Sequence, residues 1–261
     1  MDYHSDRFED FSLLIYKDEE LVGLLPANRK GNKVYSHQGL TYGGVVLSDV
    51  IKFDVVLNMF LEILKYFHNH DIKTLELKQI PFIYNKLPSD EVKYLMFILK
   101  ADVLKMETLS VLYLDEKLKI SKDRANGFKR GQKHNLEIRE EDKLDLFWNT
   151  ILIKNLKDKH SVKPVHSLEE ITLLKKQFPN NIRQFNVYHN EEIVAGTTIF
   201  ESKYVAHSQY ISGNANKNIF GSLDFLHKSL IDDVFKSIER IMFKPKNYSK
   251  TEIYTSKLKL K

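Results

Sequence analysis

Tyr16-Lys-Asp-Glu-Glu-Leu-Val-Gly23 and Tyr188-His-Asn-Glu-Glu-Ile-Val-Ala195 carry Tyr, both Glu and Val in identical places, and this agreement decides how the chain is read. After one gap, Val34-Tyr-Ser-His-Gln38 meets Val205-Ala-His-Ser-Gln209. Each copy then passes through a glycine-containing loop into an amphipathic helix. Solenoid repeats recur every roughly 20–50 residues, and this period is far longer. The pattern therefore predicts two homologous domains.

Working outward, Phe11–Tyr16 and Leu21–Leu25 read as strands around the polar turn Asp18-Glu19-Glu20, followed by a turn at Asn28–Asn32 and a strand over 33–40. Thr41-Tyr-Gly-Gly44 loosens the chain, and Ser48-Asp49 is placed to cap a helix. Its residues Phe53, Val56, Phe60, Ile63 and Phe67 recur at three- and four-residue spacing, a core stripe. A strand over 72–80 ends at Pro81, a helix is expected over 90–101, and a strand over 108–114. A basic helix follows over 121–134, although Gly127 and Gly131 each cost it about 1 kcal/mol relative to alanine.

In the second copy, Leu136–Arg139 is a short strand. Asp142 opens a helix with Leu144, Phe147, Ile151 and Leu156 on one side, and Trp148 reads as packing. Ser167-Leu-Glu-Glu170 is a capping box. A hairpin over 182–201 and a strand over 203–212 lead to a helix capped by Ser222, with Leu223, Leu226, Leu230 and Val234 in register. Meandering strands with a crossover helix make this an α+β chain.

The 261 residues are 43% hydrophobic and 29% charged, ordinary values for a globular domain, and no apolar run reaches the roughly 18–20 residues of a membrane span. Cysteine is absent, which excludes disulfides and thiolate metal sites and fits a reducing cytoplasm. Met1–Arg7 has neither the basic nor the apolar region of a secretory leader. The net charge of +5 collects between Lys117 and Arg139 and at Lys244, Lys246, Lys250, Lys257, Lys259 and Lys261. A solvated lysine face accounts for it with fewer assumptions than nucleic-acid binding, because an aromatic–basic strand is missing.

The element order resembles the GNAT superfamily of acyltransferases, and a tandem pair resembles its FemAB-like branch. The residues that carry the likeness are Leu24–Asn28, Val34-Tyr-Ser-His-Gln-Gly-Leu-Thr-Tyr-Gly-Gly44, Pro164-Val-His-Ser-Leu168, and Val194-Ala-Gly-Thr197 with Gln209-Tyr-Ile211. The resemblance spans residues 1 to about 235. It implies two GNAT-like domains, each a mixed, mainly antiparallel twisted sheet with flanking helices. The expected limits are 1–115 for the first domain, 116–135 for a basic connecting helix and 136–261 for the second. It also implies that the first domain lacks N-terminal elements and the second C-terminal strands, since Lys236 onward departs from the family.

The implied activity is N-acyl transfer, of acetyltransferase rather than aminoacyltransferase kind, from acyl-CoA to an amine, with a tRNA-borne aminoacyl donor as the other source. The acceptor class is a small molecule, a nucleotide-linked sugar or a cell-envelope precursor. In the GNAT fold the donor's pantetheine arm lies between two parallel strands that splay apart, and its pyrophosphate meets the amides opening the next helix. Gly213, Asn214, Gly221 and Ser222 occupy that place in the second copy, and Gly43, Gly44 and Ser48 in the first. Neither stretch contains the usual Q/R-x-x-G-x-G/A signature, and turn geometry alone also explains these glycines.

Amine acylation needs a proton acceptor and oxyanion donors. His207, Gln209 and Tyr210 stand at the end of the second copy's third strand as candidate catalytic residues, with a structural histidine as the alternative for His207. Alternation places His207 and Gln209 on one face, and Ser208 and Tyr210 on the other. His37, Gln38 and Tyr42 hold the matching place in the first copy and are candidate acceptor contacts. Lys129, Arg130 and Lys133 are candidates for a phosphate-bearing acceptor, or else a solvated basic face. His160 and His166 bracket Pro164, and His166 is read as an acceptor contact or loop structure rather than a metal ligand. A catalytically inactive truncated paralogue, acting as a binding module, is the alternative to an enzyme.

Overall fold

The computed structural model describes residues 6–115, 119–243 and 252–260. Lys117, Lys244, Lys246, Lys250 and Lys261, and the side chain of His160, lie outside what is described. The chain divides into two units: Met1–Leu109 with Ser249–Lys261, and Ser110–Tyr248.

In the first unit, β1 (Glu9–Asp10), β2 (Leu13–Lys17), β3 (Glu20–Leu25), β4 (Asn28–Lys30), β5 (Lys33–Tyr35) and β6 (Val46–Leu47) precede α1 (Phe53–Asn69). They are followed by β7 (Thr74–Lys78), α2 (Glu91–Ile98) and β8 (Asp102–Thr108). The last strand of the chain, β15 (Glu252–Lys259), also belongs here. Its six-stranded sheet runs β1-β4-β5-β7-β15-β8, beside a three-stranded sheet β2-β3-β6. The α1 stripe buries Val56, Met59, Phe60, Ile63 and Phe67 against Leu25, Val34, Leu75, Leu77 and Leu258. Each such side chain contributes roughly 1.5–3 kcal/mol of transfer free energy. The expected cap at Ser48-Asp49 is not made: α1 starts after Lys52, which gives no side-chain cap.

The second unit holds β9 (Ser110–Tyr113), α3 (Lys122–Lys133), β10 (Glu137–Glu141), α4 (Asp145–Phe147), a π-helical turn (Trp148–Leu152) and α5 (Ile153–His160). Then come α6 (Leu168–Gln177), β11 (Ile182–His189), β12 (Glu192–Glu201), β13 (Val205–Gly213), α7 (Lys217–Phe220), α8 (Ser222–Ser229) and β14 (Arg240–Phe243). Its sheet runs β10-β11-β12-β13-β14-β9. Two cores cover its faces. Ile199 packs in a cluster with Leu226, Leu230 and Phe235, whereas the next residue, Phe200, packs against one with Phe147, Trp148 and Tyr210. Neighbours on a strand point to opposite faces, so helix α8 lies on one face and α4–α6 on the other.

The two hairpins are the same object. Asp18 and Glu19 turn with φ of 48° and 68°, Asn190 and Glu191 with 49° and 64°, the two positive values of a type I′ turn. Both carry a bulge at one place: Ile15 opposes Gly23 and Tyr16 opposes Leu21, as Val187 opposes Ala195 and Tyr188 opposes Ile193. Val22 and Val194, matched in the sequence alignment, are the extra residues. Parallel pairing recurs as well, between β5 and β7 and between β13 and β14, each joined across a helix.

The domain limits fall elsewhere than 1–115 and 136–261. Each sheet is completed by a strand from the far part of the chain: β15 lies between β7 and β8, and β9 pairs with β14. The region after the last helix, expected to lack strands, supplies β14 to the second sheet, while β15 goes to the first. Nor is α3 a connector. It belongs to the second unit, packs on α8, and ties to it through Arg124 and Asp224 at 2.8 Å.

Candidate functional site

Strand β13 carries His207, Gln209 and Tyr210, all buried. The expected alternation fails at a bulge: Ile199 opposes Ser208, but Thr198 opposes Tyr210, leaving Gln209 as the extra residue. His207 opposes Phe200, and residues 198 and 200 share a face, so His207 and Tyr210 share it too. That face is the one covered by α4–α6. The amide oxygen of Gln209 has no hydrogen-bond partner among the described residues.

Two residues singled out separately in the sequence meet here. The Tyr210 hydroxyl lies 2.7 Å from Nδ1 of His166 and accepts its backbone N–H at 3.3 Å, across 44 residues of chain. His166 is held just before the capping box of α6, where Ser167 and Glu170 satisfy each other's amides. The Tyr210 ring stands edge-on to Trp148 at 4.8 Å. Trp148 is therefore more than packing: its indole N–H donates to Thr198 Oγ1 at 3.2 Å. Thr198 donates to Gln184, whose amide donates to Asn186, which donates to Glu141; the Tyr188 hydroxyl ends on the same carboxylate. Burial and the Glu141 charge raise the Tyr188 pKa. Asn155 of α5 donates to Ser212 Oγ and to the Gly213 carbonyl, both at 2.7 Å, fixing the end of β13.

The sequence reading missed Glu141, Gln184, Asn186 and Asn155. Gln184 and Asn186 alternate with Phe185 and Val187 along β11, a pattern that does not by itself say what covers the polar side. Helix coverage of that face makes them a buried network, with Gln184, Asn186 and Thr198 at 0% exposure.

In the first unit, His37 is buried with φ of 34°, its Nδ1 accepts from the Gly39 N–H at 3.1 Å, and Phe8 meets its ring edge-on. Asn28 is buried and holds Gln38 by both backbone and side chain, at 2.8 and 3.0 Å. Tyr42 lies 5.6 Å from Tyr84, and burial, with Glu107 near, pushes its pKa up to about 12. The chain leaves β5 at Ser36 and returns at Gly43, which bridges Gln79 in parallel. Ser36 N–H donates to Glu76, the Lys78 N–H to Ser36 Oγ and the Gly43 N–H to Lys78, at 2.7–3.0 Å. Strand β7 is thus bonded along the side from which it would splay, and a Cβ at Gly43 would fall 1.6 Å from the Ser36 carbonyl. These three candidates belong to one unit and the β13 residues to the other.

No protein-family model and no curated protein matches the sequence. Solved structures do. FemX is similar over 94% of this chain and 82% of its own, with 9% identity and a TM-score of 0.63. L-PGS from Bacillus licheniformis is similar over 95% and 84%, with 11% identity and a TM-score of 0.57. A tandem GNAT protein from the clavulanic acid biosynthesis pathway is similar over 96% and 82%, with 9% identity and a TM-score of 0.51. The fold is that of tandem GNAT proteins. At such identities the likeness establishes fold alone. Among the described residues, no helix is long and apolar enough to cross a membrane, and no group of three His, Asp or Glu could hold a metal.

The helix after β13 is where the resemblance implied a donor pyrophosphate, and the residues there fit that group poorly. Gly221, not Ser222, is the N-cap of α8, at φ of 65°. A Cβ on it would lie 2.1 Å from the Gly127 carbonyl of α3, so α3 sits directly on this end. Ser222 is wholly buried, its hydroxyl without a partner among the described residues, and Asp224 puts a carboxylate in the first turn. The preceding loop satisfies its own amides: Asn214 N–H donates to Val194, Asn216 N–H to the Asn214 side chain, and Lys217 N–H to Asn214. Gly213 closes β13 with Lys217 against it. Lys129 and Lys133 are exposed on α3, while Arg130 is half-buried with its Nε lacking a partner among the described residues.

Proposed function

We infer that the protein is an acyltransferase that joins an acyl group from an activated donor, an acyl-CoA or an aminoacyl ester, to an amine. The observation that carries this reading is Tyr210, on the strand β13 that pairs in parallel with β14 of a tandem GNAT fold, with its hydroxyl against His166 just before α6. A neutral amine adds to the donor carbonyl carbon, and the tetrahedral oxyanion collapses as the donor's C–S or C–O bond breaks. The amine's surplus proton passes to the Tyr210–His166 pair, and a proton returns to the leaving group. Gln209 supplies a buried amide oxygen that an acceptor N–H would satisfy. Exposed Lys129 and Lys133, with Arg130, favour an acceptor bearing phosphate, such as a nucleotide-linked sugar or cell-envelope precursor.

The second reading, a binding module without turnover, draws its support from the covered start of α8. Calorimetric titration with acetyl-CoA, followed by transfer assays with acetyl-CoA and aminoacyl esters against a panel of amines, separates the two. Transfer that fails in Tyr210→Phe supports the enzyme. Silent titration together with no transfer from either donor class leaves the binding module.

A further inference from the structure

Strand β8 is the outer edge of the first unit's sheet, with β15 inside it and no strand beyond it among the described residues. All seven of its residues are exposed, including Val103 at 58%, Leu104 at 48% and Met106 at 52%. An edge of free amides and carbonyls with apolar side chains is a template for another strand. Lysines and bulges normally guard such edges, and β8 has both: Lys105 at its centre and a bulge at Leu104, between the pairs Lys105–Thr255 and Val103–Ser256.

The guard has a self-complementary form. Lys105-Met-Glu107 reads as its own partner in an antiparallel pair. With Met106 opposite Met106 of a second copy, each Lys105 stands opposite a Glu107, twice about the two-fold axis. The two charges already share a face, 2.7 Å apart, and keep 63% and 44% of their side-chain surface in water. The Leu104 bulge lies outside this central triplet. An unrelated strand would meet Lys105 with no assured counter-charge, whereas a second copy always supplies one.

We propose that the protein self-associates through β8, joining two first-unit sheets edge to edge as an isologous antiparallel dimer. Because the chain has no cysteine, Met106→Cys introduces a unique thiol on the axis. Mild oxidation is expected to give a covalent dimer from M106C and not from N58C, an exposed position on α1. Sedimentation equilibrium of the native chain should show reversible dimers. K105E and E107K should each weaken association roughly tenfold or more, and the K105E/E107K double variant should restore it. Circular dichroism of each variant separates lost pairing from lost folding. A native chain that stays monomeric, a folded double variant that is no better than the singles, or M106C cross-linking no faster than N58C overturns the proposal.

Discussion

His227 on α8 is a buried imidazole whose Nδ1 lies 2.9 Å from the Leu223 carbonyl. Burial pulls its pKa down from 6.5 to about 4. Above pH 6.5 the imidazole is neutral in both folded and unfolded chains. As pH falls from 6.5 towards 4, the unfolded chain takes up the proton first, so stability drops by up to about 1.4 kcal/mol per pH unit. Melting temperatures across that window should fall for the native chain and flatten for His227→Gln. At the candidate site, Tyr210→Phe keeps the ring against Trp148 but removes the hydroxyl. Stability should change by about 1 kcal/mol, while transfer, once an acceptor is in hand, should fall roughly hundredfold or more. His166→Ala should match it in kcat more than in KM.

Among elements, the α3–α8 contact turns two helix-weakening glycines into an asset. A Cβ on Gly127 would lie 1.9 Å from Asp224 Oδ2, and one on Gly131 would lie 2.5 Å from Phe225 Cβ. Alanine in an exposed helix gains about 1 kcal/mol over glycine. Here Gly131→Ala should instead destabilise by roughly 1–3 kcal/mol, read as a lower denaturant midpoint. The glycines were visible in the sequence as a cost; the partner that makes them necessary, α8, lies some ninety residues on in the chain. The polar row under α4 and α5 behaves similarly. Thr198→Val strands the Trp148 N–H and the Gln184 side chain and should cost about 1–3 kcal/mol per orphaned group. The bulge at Gln209 shows how local a reading can fail: one inserted residue puts Tyr210, not Gln209, on the face of His207.

At the scale of the molecule, the exchange of β9 and β15 makes each unit depend on distant chain. Ending the chain at Tyr248 removes β15 from between β7 and β8, together with Leu258, worth roughly 2 kcal/mol of burial by itself. Hydrogen exchange should then quicken in Thr74–Lys78 and Asp102–Thr108 of the first unit. Strands β11–β13, nearer in sequence to the cut, should keep their protection. Equal loss in both units would contradict the exchange.

What the sequence determined by itself was whatever is local and repeated: two matching hairpins around Asp18-Glu19 and Asn190-Glu191, the α1 stripe, the Ser167 capping box, and hence a duplicated α+β fold. These follow from backbone preferences and short periodicities acting within a few residues. Only the tertiary structure decided which sheet receives β9 and β15, which face of β13 is covered, and that His166 reaches Tyr210. Those outcomes rest on pairings between segments far apart in the chain, where many registers satisfy local preference and burial of the whole selects one.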